Sequence, residues 1–489
     1  KMAAIITENF RRHNAEQFFE SFSEASASTY YLFIGKSSPF TVDTSGGDDN
    51  SPPVPNDDVV TEFYKWDSML AAKLISSSDV SYVVPRRDWA NNTTYDMYEH
   101  DISSSNTTTS GATNLYDGTF YFMTSEYKVY KVLDNNGGTA YSGAEPTSTV
   151  TQPFELGGYT LQYMLTLTTS QVQKYLTSDF LPVTTDATVS AAAVDGAIDI
   201  IRVTAGSGYT DGTYYAPIDG DGSNGVVEIT INGGAILSQG SAGTNVYTPG
   251  SGYTFASIDL TDTYSDATLT TSASIGAGTG GAVQAIISPK GGHGFDAVSE
   301  LGGHYVMMNS KLEQFEGDDI TVANDFREVG IVKDPYNFGT TTVASATTRR
   351  QSYAVYFASA PTTAFDLDEK ITQATTGAVG RVVEWDATNN ILYFMQEQWA
   401  NYGIDSSGNQ ATFSGANTIT GATSGAAGTP SSNASDTVTL AGGTSLVFTS
   451  GYANPELEPN SGQILYVENR RPISRASDQT EDIKIVVEF

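Results

Sequence analysis

Apolar and polar positions recur along the chain with two different periods. Residues 7–24 place Phe10, Phe18 and Phe22 on roughly one helical face, with Asn14 and Glu16 elsewhere and Thr7 positioned to cap the first turn. A helix is predicted there, docked on the strand that follows. That strand is Thr29-Tyr30-Tyr31-Leu32-Phe33-Ile34, ended by Gly35 and by Pro39 soon after it. An acidic, proline-rich loop over residues 43–55 leads into the strongest helical pattern. Asn56 is the cap, Asp57 and Asp58 suit the positive end of the dipole, and Val59, Phe63, Trp66, Leu70 and Leu74 recur at spacings of 4, 3, 4 and 4. Those five side chains are expected to form one buried stripe. Further strands are read at residues 80–84, 119–123, 127–133 and 159–167, with Asp134-Asn135-Asn136-Gly137-Gly138 closing one of them as a turn.

Beyond residue 184 the texture shifts to small residues, and repeats emerge. Gly206-Ser207-Gly208-Tyr209-Thr210 returns as Gly250-Ser251-Gly252-Tyr253-Thr254, a spacing of 44 residues. Ile371-Thr372-Gln373-Ala374-Thr375-Thr376-Gly377-Ala378 is echoed 48 residues later by Ile419-Thr420-Gly421-Ala422-Thr423-Ser424-Gly425-Ala426. Two copies of each fall short of the three that a solenoid needs, so two compact β domains of sandwich or barrel type are expected.

Composition agrees with this pattern. The 489 residues are about three times the ~150 typical of one domain. The 47 Gly, 28 Tyr and 22 Phe, with long Ser/Thr/Gly/Asn stretches, suit short strands and turns, so a mainly β, multi-domain α+β fold with few helices is expected. The balance of 24 Lys+Arg against 56 Asp+Glu, a net charge of −32, repels phosphate and argues against nucleic acid and anionic membrane as partners. The absence of cysteine removes disulfides, zinc-thiolate sites and thiol nucleophiles. No apolar run reaches the ~18 residues of a membrane span. Met2-Ala3-Ala4 reads as the natural start with Lys1 ahead of it, and the polar residues that follow predict a protein that stays where it is made.

Candidate chemistry is sparse. Gly35-Lys36-Ser37 has the end of a phosphate-binding loop, but Tyr30 stands where the loop needs its first Gly, so a strand end is the better reading. Asp219-Gly220-Asp221-Gly222-Ser223-Asn224 has the spacing of a calcium loop, yet Asn224 replaces the required Gly and Thr230 the closing Glu. A turn is expected there, with a weak cation site at Asp219 and Asp221, Glu228 reaching in, as the competing reading. The four histidines, His13, His100, His293 and His304, form no i, i+4 metal pair and are assigned to loops or the surface. No Gly-x-Ser-x-Gly elbow appears. Neither metal, cofactor nor catalytic residue is therefore assigned. Arg86, Arg87, Arg470 and Arg471 stand out because arginine is scarce in so acidic a chain. They are read either as internal clamps on loops or as subunit-interface residues.

Three stretches, in order, resemble the gene product eight family of T-even-like contractile-tailed phages. The first runs from Ile5-Ile6-Thr7-Glu8-Asn9-Phe10-Arg11 through Phe33-Ile34-Gly35-Lys36-Ser37-Ser38-Pro39-Phe40 to Pro85-Arg86-Arg87-Asp88-Trp89. The second spans His304-Tyr305-Val306-Met307-Met308, Phe326-Arg327-Glu328-Val329-Gly330-Ile331-Val332 and Asp334-Pro335. The third is Ser461-Gly462-Gln463-Ile464-Leu465-Tyr466-Val467-Glu468-Asn469-Arg470-Arg471-Pro472-Ile473, ending in Asp478-Gln479-Thr480-Glu481. Phe40 stands where the family pattern has Trp, and Arg471 where it has Pro. Residues 186–292 and 341–455, which hold the repeats, have no counterpart. The resemblance thus implies a wedge core over 1–185, 293–340 and 456–489, β-sandwich-like, with two inserted β domains. It also implies a non-enzymatic, homodimeric structural subunit of the virion's tail baseplate, assembled in the host cytoplasm and tying other baseplate wedge proteins together. A tail-associated glycan-binding or glycan-degrading protein is the alternative, because 56 carboxylates supply a suitably spaced pair by chance.

Overall fold

The computed structural model describes residues 5–42, 47–240, 242–262, 264, 275–313, 318–320, 323–396, 403–404, 407–476 and 479–489. Lys1, Met2, Ala3, Ala4, Asp43 and Asp478 lie outside the described residues, as does the side chain of Val59. The fold is mainly β and multi-domain, with thirty strands and five α-helices among the described residues and many antiparallel sheets. The chain divides into two compact units. One holds the N-terminal residues up to Gln17, Ser81–Met307 and Val486–Phe489, and the other Phe18–Val80 and Met308–Ile485.

The second unit is organised by a five-stranded antiparallel sheet in the order Thr348–Arg350, Met69–Ile75, Tyr30–Gly35, Phe326–Lys333, Gln463–Ile473. Tyr30–Gly35 lies at its centre with all six residues buried, which is why its sequence is continuously apolar rather than alternating. Phe18 and Phe22 pack their rings against Tyr30, as predicted, but Phe10 is 55% exposed and the helix spans only Glu8–Glu20. Thr7 Oγ1 accepts the Phe10 N–H at 3.3 Å, the cap read from the sequence.

The predicted second helix requires correction. It covers Val59–Ser68 and then gives way to the strand Met69–Ile75, so Leu70 and Leu74 are sheet residues, not helical ones. A spacing of four fits a helix turn, but it also returns a strand to the same face, and the sheet wins because Met69-Leu70-Ala71-Ala72 is buried between Tyr30–Gly35 and Thr348–Arg350. Trp66 is buried as expected, whereas Phe63 is 43% exposed.

In the first unit, Tyr121–Met123, Lys128–Asp134, Tyr159–Thr166 and Phe154–Leu156 form a four-stranded antiparallel sheet. Lys128–Asp134 is buried on both faces: Tyr130 and Val132 join a tyrosine-rich core with Tyr95, Tyr141 and Tyr159, while Val129 and Leu133 join the core around Phe120, Met164 and Leu181. Alternation then forces Lys131 onto the same face as Val129 and Leu133. Val80–Pro85 pairs with Phe180–Pro182 beside a smaller cluster of Val83, Tyr175 and Met307.

Both repeat-bearing segments carry cores of their own. The first gathers Ile198, Ile201, Tyr214, Val227, Ile229 and Val283, and its end strands Ile200–Ser207 and Thr279–Ile286 pair with Ile200 opposite Ile286. Each copy of its repeat makes the same contacts. The Tyr209 hydroxyl accepts the Gly281 N–H at 2.9 Å, and the Tyr253 hydroxyl accepts the Gly225 N–H at 3.1 Å. Gly206 and Gly250 adopt φ of 61° and 66°. The tyrosine rings lie over a second pair of motifs that the sequence reading missed, Gly220-Asp221-Gly222-Ser223-Asn224-Gly225 and Gly276-Ala277-Gly278-Thr279-Gly280-Gly281. A Cβ at Gly225 would stand 2.7 Å from the Tyr253 hydroxyl, and one at Gly281 2.5 Å from that of Tyr209.

The other segment builds a seven-stranded sheet around Val355, Phe357, Ile371, Val382, Leu392 and Phe394. In its repeat, Thr376 Oγ1 accepts the Ala378 N–H at 3.2 Å, and Ser424 Oγ accepts the Ala426 N–H at 3.0 Å. Glu369 ties the second copy down, its carboxylate accepting from Thr423 N, Ser424 N and Ser424 Oγ at 2.9, 3.0 and 2.7 Å. Thr348–Arg350 and the buried Ala344, although inside residues 341–455, belong to the five-stranded sheet and its core.

Candidate functional site: arginine clamps and a buried ion cluster

Arg86 follows the strand Val80–Pro85 directly, so its side chain leaves the end of the strand where a loop passes. Its Nε donates to both Asp88 carboxylate oxygens, at 2.9 and 3.1 Å, and its Nη1 donates to the Thr177 carbonyl at 2.8 Å. Arg87 donates to the Tyr116 carbonyl at 3.0 Å and lies over the Tyr121 ring, 4.5 Å from its centroid. Both therefore clamp loops within the first unit. At the C-terminal strand the pattern is looser. Arg470 meets Glu468 at 3.1 Å with both side chains about two-fifths exposed, an arrangement that adds little stability. Exposed Arg471 donates from Nε to the Asn50 carbonyl at 3.1 Å.

Two better-buried arginines escaped the sequence reading. Arg327 holds the loop after the central strand, bonding the Ser37 carbonyl and, at 2.9 Å, the Asp49 carboxylate. Arg350 joins the Ser352 carbonyl and, at 2.8 Å, that of Asn454. Arginine count alone gave no signal for these, because what distinguishes them is a buried carbonyl in need of a donor.

The largest departure from expectation lies in the first unit. Lys131 is fully buried, and its ammonium donates to Glu300 at 2.6 Å and to His293 Nδ1 at 2.9 Å, 4.3 Å from the Tyr98 ring centroid. Glu300 sits in the short helix Ala297–Glu300, and its other oxygen accepts the N–H groups of Gly294 and Asp296 at 2.9 and 3.2 Å. Burial lowers the Lys131 pKa, opposed by Glu300, and drives His293 well below its usual value with the Lys131 charge pushing the same way. His293 is 6% exposed, and so is His304, whose Nδ1 lies 3.4 Å from Glu8. Both histidines lie in loops, as expected, but neither is at the surface. Gly291-Gly292-His293-Gly294 forms a turn that carries the imidazole inward to Lys131.

Asp219–Gly220 is a two-residue strand paired with Ala256–Ser257. The Asp221 carboxylate accepts from Thr254 N, Thr254 Oγ1 and Phe255 N at 2.8, 2.5 and 3.2 Å, and these bonds hold it down to about 2. Glu228 does not reach this loop; it accepts the Tyr215 hydroxyl at 2.8 Å. Asp221 thus ties the second Gly-Ser-Gly-Tyr-Thr copy to its glycine motif. No group of His, Asp or Glu arranged to hold a metal occurs among the described residues.

Residues 4–155 match the family described as Phage-Gp8 (Bacteriophage T4, Gp8), whose T4 member is a baseplate wedge subunit. This region includes the first resembling stretch, while the second and third lie beyond it. No curated protein matches the chain.

Proposed function

We propose, from the match of residues 4–155 to the Phage-Gp8 family of phage baseplate wedge subunits, that the chain works as a homodimer tying neighbouring wedge proteins together. The observation that carries the reading is the five-stranded sheet. Its central strand Tyr30–Gly35 comes from the matched region, while Phe326–Lys333 and Gln463–Ile473 come from the other two resembling stretches. Three stretches far apart in sequence thus meet in one sheet, as expected if one family core runs through the chain.

The function is mechanical and non-enzymatic. Buried clamps such as Arg327 and Arg350 hold loops at fixed geometry, and subunit contacts bury apolar patches and charge pairs, with roughly 2,000 Å² or more expected for a permanent interface. Arg470 and Arg471 are the better interface candidates, since their exposure leaves guanidinium donors for a neighbour, whereas Arg86 and Arg87 are occupied internally. The repeat-bearing segments, each with its own core, are inserted domains that contact phage-specific neighbours. Assembly takes place in the host cytoplasm before incorporation into the tail. Light scattering on a sized column tests the dimer: a particle of twice the 52.0 kDa chain mass is expected, and a monomer or trimer at micromolar concentration overturns it.

A further inference from the structure

Beside the Lys131 cluster, and within the first unit, lies a cavity of about 400 Å³ that the clamps do not use. Gln162, Asp199 and His293 line its polar side, and Ala192, Ala193 and Pro249 are among the small residues of its wall. Gln162 is 1% exposed, and its amide nitrogen donates to the Thr151 and Tyr163 carbonyls at 3.1 and 2.9 Å. Those two bonds fix the amide's orientation and leave Oε1 buried without a partner. Asp199 is half-buried, and its carboxylate has no hydrogen-bond donor among the described residues.

The charges of the cluster do not balance. Lys131 is matched by Glu300, so an ionised Asp199 is one negative charge in excess. Burial raises Asp199 to about 6, opposed by the Lys131 charge, and it is therefore mostly ionised at neutral pH. Two acceptors, one of them an uncompensated carboxylate, call for a ligand that is cationic and rich in donors. A guanidinium meets both requirements because it is planar, permanently charged and carries five N–H donors. The small apolar wall leaves room for the methylene arm that such a group carries.

We propose that this cavity is a receptor for a guanidinium group on a short apolar arm, held by the Asp199 carboxylate and the Gln162 amide oxygen. The source is either a free guanidinium solute or an arginine of a neighbouring subunit. The first arm of the test, which does not depend on the baseplate reading, is saturation-transfer NMR with methylguanidinium on the full-length protein. Binding to the wild type is expected with a dissociation constant on the order of 1 mM, weakened at least about tenfold in Asp199→Asn. A second variant, Ala193→Leu, fills the wall, is expected to abolish binding, and carries the test if Asp199→Asn does not fold. Equal binding by wild type and variants, or none by the wild type, overturns the proposal. A neutral polyol that binds in place of methylguanidinium and survives Asp199→Asn also overturns it. The second arm, which does rest on the baseplate reading, is a pull-down with purified neighbouring wedge proteins. Weaker capture by Asp199→Asn identifies a partner's arginine as the source, and unchanged capture alongside lost methylguanidinium binding identifies a free solute.

Discussion

Lys131 occupies a position that strand alternation gives to an apolar side chain, and its charge is tolerated because Glu300 and His293 converge on it. Removing one member of a buried pair strands the other, a loss of about 3–5 kcal/mol, whereas removing both charges costs much less. Lys131→Met should therefore destabilise the protein by about that amount. Adding Glu300→Gln should recover most of it, because glutamine keeps an acceptor for Gly294 and Asp296 while shedding the charge. Denaturant midpoints at constant m-value measure both. Asp319 gives a second residue-scale test. Burial raises its carboxyl from 3.8 to about 7, with the Glu456 charge adding to the effect and the Thr348 hydroxyl, a donor at 2.7 Å, opposing it. The folded state then holds this proton more tightly than the unfolded chain. The group's contribution is full below the unfolded value and is lost as pH rises towards the folded one. Asp319→Asn should flatten the decline in stability between about pH 4 and pH 7, as followed by melting temperature across pH; parallel curves for the two proteins would count against the assignment.

At the scale of elements, sequence reading succeeded where burial and period agree. Tyr30–Gly35 was legible because an unbroken aromatic and aliphatic run, closed by a glycine, has no helical alternative of that length. Met69–Ile75 was not, since Leu70 and Leu74 satisfy both periods and only the neighbouring strands decide between them. The ion cluster was illegible for a related reason: Lys131 stands 162 residues from His293 and 169 from Glu300, and nothing local to any of them marks burial. In the first repeat the tyrosine half was visible as an exact echo, but the glycine half was not, because its two copies share spacing rather than side chains. That pairing makes a prediction. Gly225→Ala and Gly281→Ala place a Cβ against equivalent tyrosine hydroxyls, so both should destabilise by a similar amount, about 1–3 kcal/mol. A large cost for one and none for the other, in thermal or chemical denaturation, would show that the copies do not share a packing role.

For the whole molecule, the inserted-domain reading turns on where the second insert begins. Tyr353–Tyr356 and Tyr452–Ala453 pair with Ala354 opposite Ala453, so the ends of the segment between them lie side by side. Residues 353–453 can then be excised and Ser352 joined to Asn454 through a short Gly/Ser linker, whose length matters little because closure entropy rises by about 0.6 kcal/mol per doubling. The truncated protein should remain folded and dimeric by circular dichroism and light scattering. Excising 341–455 instead removes Thr348–Arg350 and Ala344 from the five-stranded sheet and its core and should yield unfolded or insoluble protein. If both deletions behave alike, the strand is not part of the core. The central claim, that this chain is a structural subunit of the wedge, is tested most directly by a cryo-electron map of the intact baseplate. Density for both compact units is expected within each wedge, in paired copies that touch neighbouring wedge proteins. A baseplate that lacks the chain, or one that carries it as a trimer at a receptor-binding tip, would contradict it.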